Sequence, residues 1–211
     1  MTVQDLEIKF ISIYKDGFKD ELFLQESKKF NDKKVYSMFE DEMSKDVLRE
    51  KIMAGKFDEV LESYLWVIKR SWLPSRFDKR AFMNFIQMDE IKVDTCILIY
   101  EVMYGDLNAN FDRLIDILST YKGDKECNYN ASTWPIISTF LFYSKKDFYP
   151  IKPTTVKKIG QAFNVDFEYA PRPNLNTYKR YNKFCKSLLK ESTLCKTKQQ
   201  IDILIFIAVH Y

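Results

Sequence analysis

Apolar residues return along this chain at helical spacing. Leu6, Phe10 and Ile13 fall at i, i+4 and i+7, and Gly17 interrupts the pattern. Val35, Met38, Phe39 and Met43 form a second stripe. Ser44 occupies an N-cap position before Val47, Leu48 and Ile52, and Gly55 stands where that helix would close. Phe57, Val60, Leu61, Tyr64, Leu65 and Ile68 then repeat at i, i+3, i+4. Ser75, after Pro74, predicts a helix through Met88, and residues 90–104 are apolar nearly all round, which predicts a central, buried helix. Phe111, Leu114, Ile115 and Leu118 define the next one. Trp134-Pro135 opens a helix through Tyr143, with the proline in the first turn, where its missing N–H costs nothing. Thr154 or Thr155 begins a helix through Phe163, Asn174 or Asn176 caps a long one through Glu191, and Thr197 caps a last one through Val209. Strand-like alternation is confined to Val165–Tyr169, with no evident partner. The pattern predicts an all-α protein, a compact multi-helix bundle of about ten helices.

The polar, Gly-containing stretch 122–130 is the best internal boundary. It divides an acidic helical part, 1–121, from a basic C-terminal helical part, 131–211, within what reads as one compact unit with a joint near 122–130. The net charge of +3 hides this asymmetry. Residues 145–200 carry 13 Lys and Arg against 4 Asp and Glu, a net of +9, and the remainder carries 20 against 26, a net of −6. A balance of this kind fits a part that faces a polyanion, or a lysine-rich surface that is simply solvated.

Candidate chemistry is limited by counting. The five glycines are isolated, so no phosphate-binding glycine loop is present. The single histidine, His210, is penultimate, which leaves no catalytic triad and no site built on several His ligands. Cys96, Cys127, Cys185 and Cys195 fit no zinc spacing and no disulfide framework, and Cys96 sits in an apolar run where it packs as a small hydrophobe. Asp112 and Asp116 share a solvated helix face. Asp202 is less ordinary, because Ile201 and Ile203-Leu204-Ile205-Phe206-Ile207 surround it. It needs a first-turn position, a nearby lysine or a functional role. No catalytic residue, metal or cofactor is expected. The chain opens without a basic segment followed by an apolar one, and its apolar runs fall short of the ~20 residues that span a bilayer. A cytoplasmic protein with no membrane partner is expected.

The sharpest signal lies at 174–191. Tyr178, Tyr181, Phe184, Cys185, Leu188 and Leu189 share one face, and Lys179, Lys183, Lys186 and Lys190 repeat at i, i+4, i+7, i+11 opposite them, flanked by Arg180. The helix from 154 to 163 turns Val156, Ile159 and Phe163 inward and Lys157 and Lys158 outward. These seven cations are the candidate nucleic-acid contacts of a non-enzymatic protein, with a place in bacterial or phage DNA metabolism or defence. In that reading, reversing Lys179, Lys183 and Lys186 to Glu abolishes binding without unfolding. Tyr178 and Tyr181 belong to the apolar face, which favours core packing over base stacking. The alternative is a protein-interaction module or homo-oligomer with no nucleic-acid role.

Two resemblances add to this. Lys152-Pro153-Thr154-Thr155-Val156-Lys157-Lys158-Ile159-Gly160-Gln161-Ala162-Phe163-Asn164-Val165 resembles the helix that follows the helix-hairpin-helix in DNA glycosylases. Lys152 stands where that family's catalytic Asp is expected, and Phe148-Tyr149-Pro150 lacks the hairpin's Gly-rich loop. The resemblance therefore implies a helical DNA-associated scaffold without glycosylase chemistry. Thr133-Trp134-Pro135, Lys152-Pro153, Pro173-Asn174 with Thr177-Tyr178, and Ile201-Asp202 with Phe206-Ile207 make residues 133–207 similar to a bacterial protein family of unknown function. That likeness implies no activity.

Overall fold

A computed structural model of the chain describes residues 1–30, 33–123, 129–145 and 147–211. It is all-helical, with no strand among the described residues. The twelve α-helices are α1 (Val3–Ile13), α2 (Glu21–Glu26), α3 (Lys33–Asp41), α4 (Lys45–Met53), α5 (Phe57–Arg70), α6 (Arg76–Phe85), α7 (Lys92–Tyr104), α8 (Leu107–Leu118), α9 (Trp134–Ser144), α10 (Pro153–Phe163), α11 (Leu175–Glu191) and α12 (Lys198–His210). The multi-helix bundle expected from the periodicity is present. The short α2, capped by the Asp20 carboxylate, is the element the pattern did not announce; of its residues only Phe23 is buried.

The helix buried on every side is α9; the one over 90–104 is central in its packing but keeps one flank exposed. Every residue from Trp134 to Tyr143 is buried, because the segment carries no charge. Its Ser138 and Thr139 hydroxyls satisfy themselves on the carbonyls of Trp134 and Pro135, one turn back. By contrast, α7 carries Lys92, Asp94 and Glu101 and leaves Val93 and Ile97 exposed on one flank. It packs against α4, α5, α8 and α9 with its remaining faces.

Several ends are set by the residues that predicted them. Thr197 and Ser75 form capping boxes with Gln200 and Asp78, and the Asn174 carboxamide accepts from the Thr177 N–H. Ser44 holds the N-cap position of α4 without a side-chain bond. α6 stops at Phe85, short of Met88. Ile13 is at the surface; the buried stripe of α1 is Val3, Leu6, Glu7 and Phe10.

One apolar cluster runs from Val3 to Ala208. Of the joint expected near 122–130, residues 124–128 lie outside the described residues, Cys127 among them. The two ends of the chain meet where α1 packs along α12. There the buried Glu7 carboxylate accepts from the Ser192 and Thr193 hydroxyls and from the N–H groups of Thr193 and Leu194. Among the described residues no helix is long and apolar enough to cross a membrane.

The Val165–Tyr169 segment, strand-like in pattern, is an extended loop. Asn164 ends α10 in the left-handed region (φ 53°), and Glu168 takes a second positive φ of 50°. The loop is pinned by Thr177, whose hydroxyl donates to the Glu168 carbonyl at 2.6 Å, and by Trp134, whose Nε1–H donates to the Ala170 carbonyl at 2.8 Å. These anchors hold Tyr169 and Arg172 beside the amino ends of α9 and α10.

Candidate functional site

The amphipathic reading of α11 holds: Tyr178 and Tyr181 are fully buried, and Lys179 and Lys183 lie exposed on the far side. Tyr178 stacks on Trp134 and Phe148, so it offers no ring face to a base. Five of the seven candidate cations are engaged within the chain, however. The Lys179 ammonium donates to the Asn108 carboxamide at 2.7 Å, Arg180 pairs with Glu168, and Lys186 pairs with Asp147 at 3.3 Å. Lys158 turns toward the end of α12, donating to the Val209 carbonyl at 3.1 Å, whereas Lys157 lies 5.1 Å from the Tyr169 ring centre. Lys157, Lys183 and Lys190 make no hydrogen bond or ion pair among the described residues.

A deeper feature lies elsewhere. A cavity of about 880 Å³ opens where the amino ends of α6, α9 and α10 converge with the last turn of α12. Its size suits a nucleotide-sized ligand. Pro153, at the first position of α10, sets the helical φ and has no N–H to satisfy. The N–H groups of Thr154 and Thr155 follow, and neither meets an acceptor among the described residues. At the head of α9 the Thr133 hydroxyl is buried without a hydrogen-bond partner. Amino-terminal N–H groups and the helix dipole favour an anion here.

Around the mouth are aromatic rings and cations. Phe77 and Tyr129 stack with ring centres 5.1 Å apart and planes 14° apart, yet remain 40% and 48% exposed. The Arg76 guanidinium lies 4.7 Å from the Phe77 ring centre. Lys122, Tyr169 and Arg172 line the same opening, and Arg172 reaches the exposed Asp116 at 2.6 Å.

Beneath the floor lies a buried charge pair. Asp202 is buried and lies 3.6 Å from the Lys152 ammonium, which is itself held 3.0 Å from the Trp72 ring centre and 4.7 Å from that of Phe206. Burial raises the Asp202 carboxyl above the usual aspartate range, and the Lys152 charge only partly offsets this. The lysine is thus the partner that the apolar surroundings of Asp202 required. His210 is fixed in the last turn of α12, with Nε2 3.0 Å from the Thr155 hydroxyl and Nδ1 3.3 Å from the Lys158 ammonium. An ammonium only donates, so Nδ1 accepts and Nε2–H donates to Thr155. Burial, then the charges of Lys158 and Lys152, lower the imidazole's pKa and keep it neutral at physiological pH.

Thr133, Trp134, Pro135, Lys152, Pro153 and Phe206 line the cavity, Asp202 pairs beneath it, and Tyr178 stacks behind Trp134. Asp202 and Lys152 were visible in the sequence as separate oddities; Phe77 and Tyr129 carried no signal there. Cys96, Cys185 and Cys195 are buried free thiols, and burial pushes Cys96 and Cys195 up to about 12, so none is a ready nucleophile. Among the described residues no group of three His, Cys, Asp or Glu side chains is placed to hold a metal ion. Comparison with protein-family models, with curated proteins and with solved structures finds no match to this chain.

Proposed function

We propose that the protein binds single-stranded nucleic acid at the mouth of this cavity, with a phosphate directed at the amino end of α10 and an unstacked base against the Phe77–Tyr129 pair. One observation carries the reading: a single opening combines exposed, stacked aromatic rings with cations and with first-turn N–H groups that have no acceptor. Aromatic platforms beside a basic groove are what a single strand uses, since every base has a π-face and every nucleotide a phosphate. A duplex keeps its base faces stacked internally and has no comparable use for the rings. Lys152, Asp202 and His210 act in this reading as supports that hold the heads of α10 and α12 in place.

The test is fluorescence anisotropy with a labelled single-stranded oligonucleotide and its duplex. The single strand is expected to bind more tightly, with log K falling by about 0.7 per log unit of salt for each phosphate neutralised. Phe77→Ala, at an exposed position, is expected to weaken binding about tenfold, as the loss of one stacked base would. The Lys179→Glu, Lys183→Glu, Lys186→Glu triple variant should change it less than threefold. Full loss in that triple variant with Phe77→Ala unaffected would move the contact to α11, and equal affinity for duplex would remove the stacking argument.

A further inference from the structure

The other ends of α9 and α12 carry a second recess. α9 is eleven residues long, so the two openings are separated by roughly 16 Å of helix. This recess, of about 690 Å³, lies between α3, the carboxyl ends of α9 and α11, and the start of α12. Four lysines line it, Lys186, Lys190, Lys196 and Lys198, against one carboxylate, Asp147. Lys186 uses that carboxylate at 3.3 Å. Lys198 turns inward and donates to the carbonyls of Phe142 and Lys145 at the end of α9. Lys196 donates to the Thr193 carbonyl at 3.1 Å, and Lys190 has no partner. Among the described residues, three of the four ammonium groups therefore make no ion pair. The Ser144 hydroxyl, which also lines the recess, is buried without a hydrogen-bond partner.

Like charges gathered in a concave surface repel one another and focus a positive potential that an anion of several charges relieves. The aromatic residues here differ from those of the first cavity: Tyr143 and Tyr149 are buried, at 7% and 2% exposure, and the half-buried Tyr36 packs edge-on against Tyr143, with ring centres 5.2 Å and planes 78° apart, instead of forming a stacked pair. The chemistry is thus charge without a base platform. We propose that this recess binds a compact polyphosphate anion, held by Lys186, Lys190 and Lys196 around the Ser144 hydroxyl. The inference does not rest on the single-strand reading. Burial lowers the Lys198 ammonium to about 8, and the charge of Asp147 offsets this only in part.

Calorimetric titration of the full chain with sodium tripolyphosphate in low salt tests the proposal. One site of micromolar affinity is expected. The Lys190→Ala, Lys196→Ala double variant, at two exposed positions, is expected to weaken it at least tenfold, and Phe77→Ala to leave it unchanged. Sulfate at matched ionic strength should compete poorly. Unchanged affinity in the double variant, competition by sulfate well beyond that of chloride at the same ionic strength, or loss of binding on Phe77→Ala would each overturn it.

Discussion

Lys152→Met is expected to lower stability at pH 7 by about 3–5 kcal/mol, the usual cost of stranding one member of a buried ion pair. Methionine is close to lysine in shape and keeps the contact with Trp72 and Phe206, so packing is largely preserved and the loss isolates the charge. Asp202 then has no cation in an apolar segment and escapes by holding its proton. The sign of the pH dependence follows. A carboxyl whose folded pKa lies above its unfolded value destabilises the fold as pH rises from the unfolded value to the folded one. The Lys152→Met deficit should therefore shrink in acid and widen toward neutrality. Lys152→Met with Asp202→Leu replaces both partners by apolar groups and should return to within about 1 kcal/mol of the parent or exceed it. Urea denaturation of the three chains at pH 4.5 and pH 7 measures this. A single variant within 1 kcal/mol of the parent would mean that Asp202 is not held in a dry environment.

The second large effect is expected at Glu7. Its carboxylate closes the join between the two ends of the chain by accepting four hydrogen bonds, two of them from backbone N–H groups of the turn before α12. Glu7→Ala takes the shared acceptor from those part-buried donors and opens the join beneath them, which should cost about 3 kcal/mol. Burial pushes the Glu7 carboxyl up, but the bonds from Ser192, Leu194 and Thr193 outweigh it and hold the pKa below the usual glutamate range. The contribution is therefore complete above the ordinary glutamate value and is lost as pH falls through the folded one. Glu7→Gln keeps the shape, loses less than alanine does, and should flatten the acid limb of the stability profile. Denaturant midpoints from pH 3 to pH 7 separate these outcomes; an acid limb as steep in Glu7→Gln as in the parent would assign it to other carboxylates.

Glu7 and Asp202 also show what the sequence conveys and what it does not. Asp202 is conspicuous because its neighbours are apolar, and the requirement for a cation follows from that alone. Which cation it takes, Lys152 at 50 residues' distance, depends on how α10 and α12 pack. Glu7 sits among ordinary helix-surface residues, and its partners lie more than 180 residues away. The helices were legible because spacing and caps act locally: Thr197, Asn174 and Ser75 all cap where they stand. Centrality is a tertiary property. Residues 90–104 looked buried all round by apolar content, but Lys92, Asp94 and Glu101 leave one flank of α7 in solvent, and the uncharged α9 is the helix buried on every side. The α11 stripe was correctly placed on a solvent face, while Asn108, Glu168 and Asp147, which engage three of its cations, come from three other parts of the chain. The cavity draws on residues 73–78, 119–122, 129–135, 152–155, 169–172 and 206–210, which no sequence window contains.

The central claim is that a base from a single strand rests on the rings at the mouth of the first cavity. Ultraviolet crosslinking of an oligonucleotide carrying 5-bromouracil, followed by peptide mapping, reads the contact directly. Crosslinks are expected on the peptides that hold Phe77, Tyr129 or Tyr169, and their yield is expected to fall in Phe77→Ala. Crosslinks confined to residues 179–190, or none at concentrations where the strand is bound, would contradict the account.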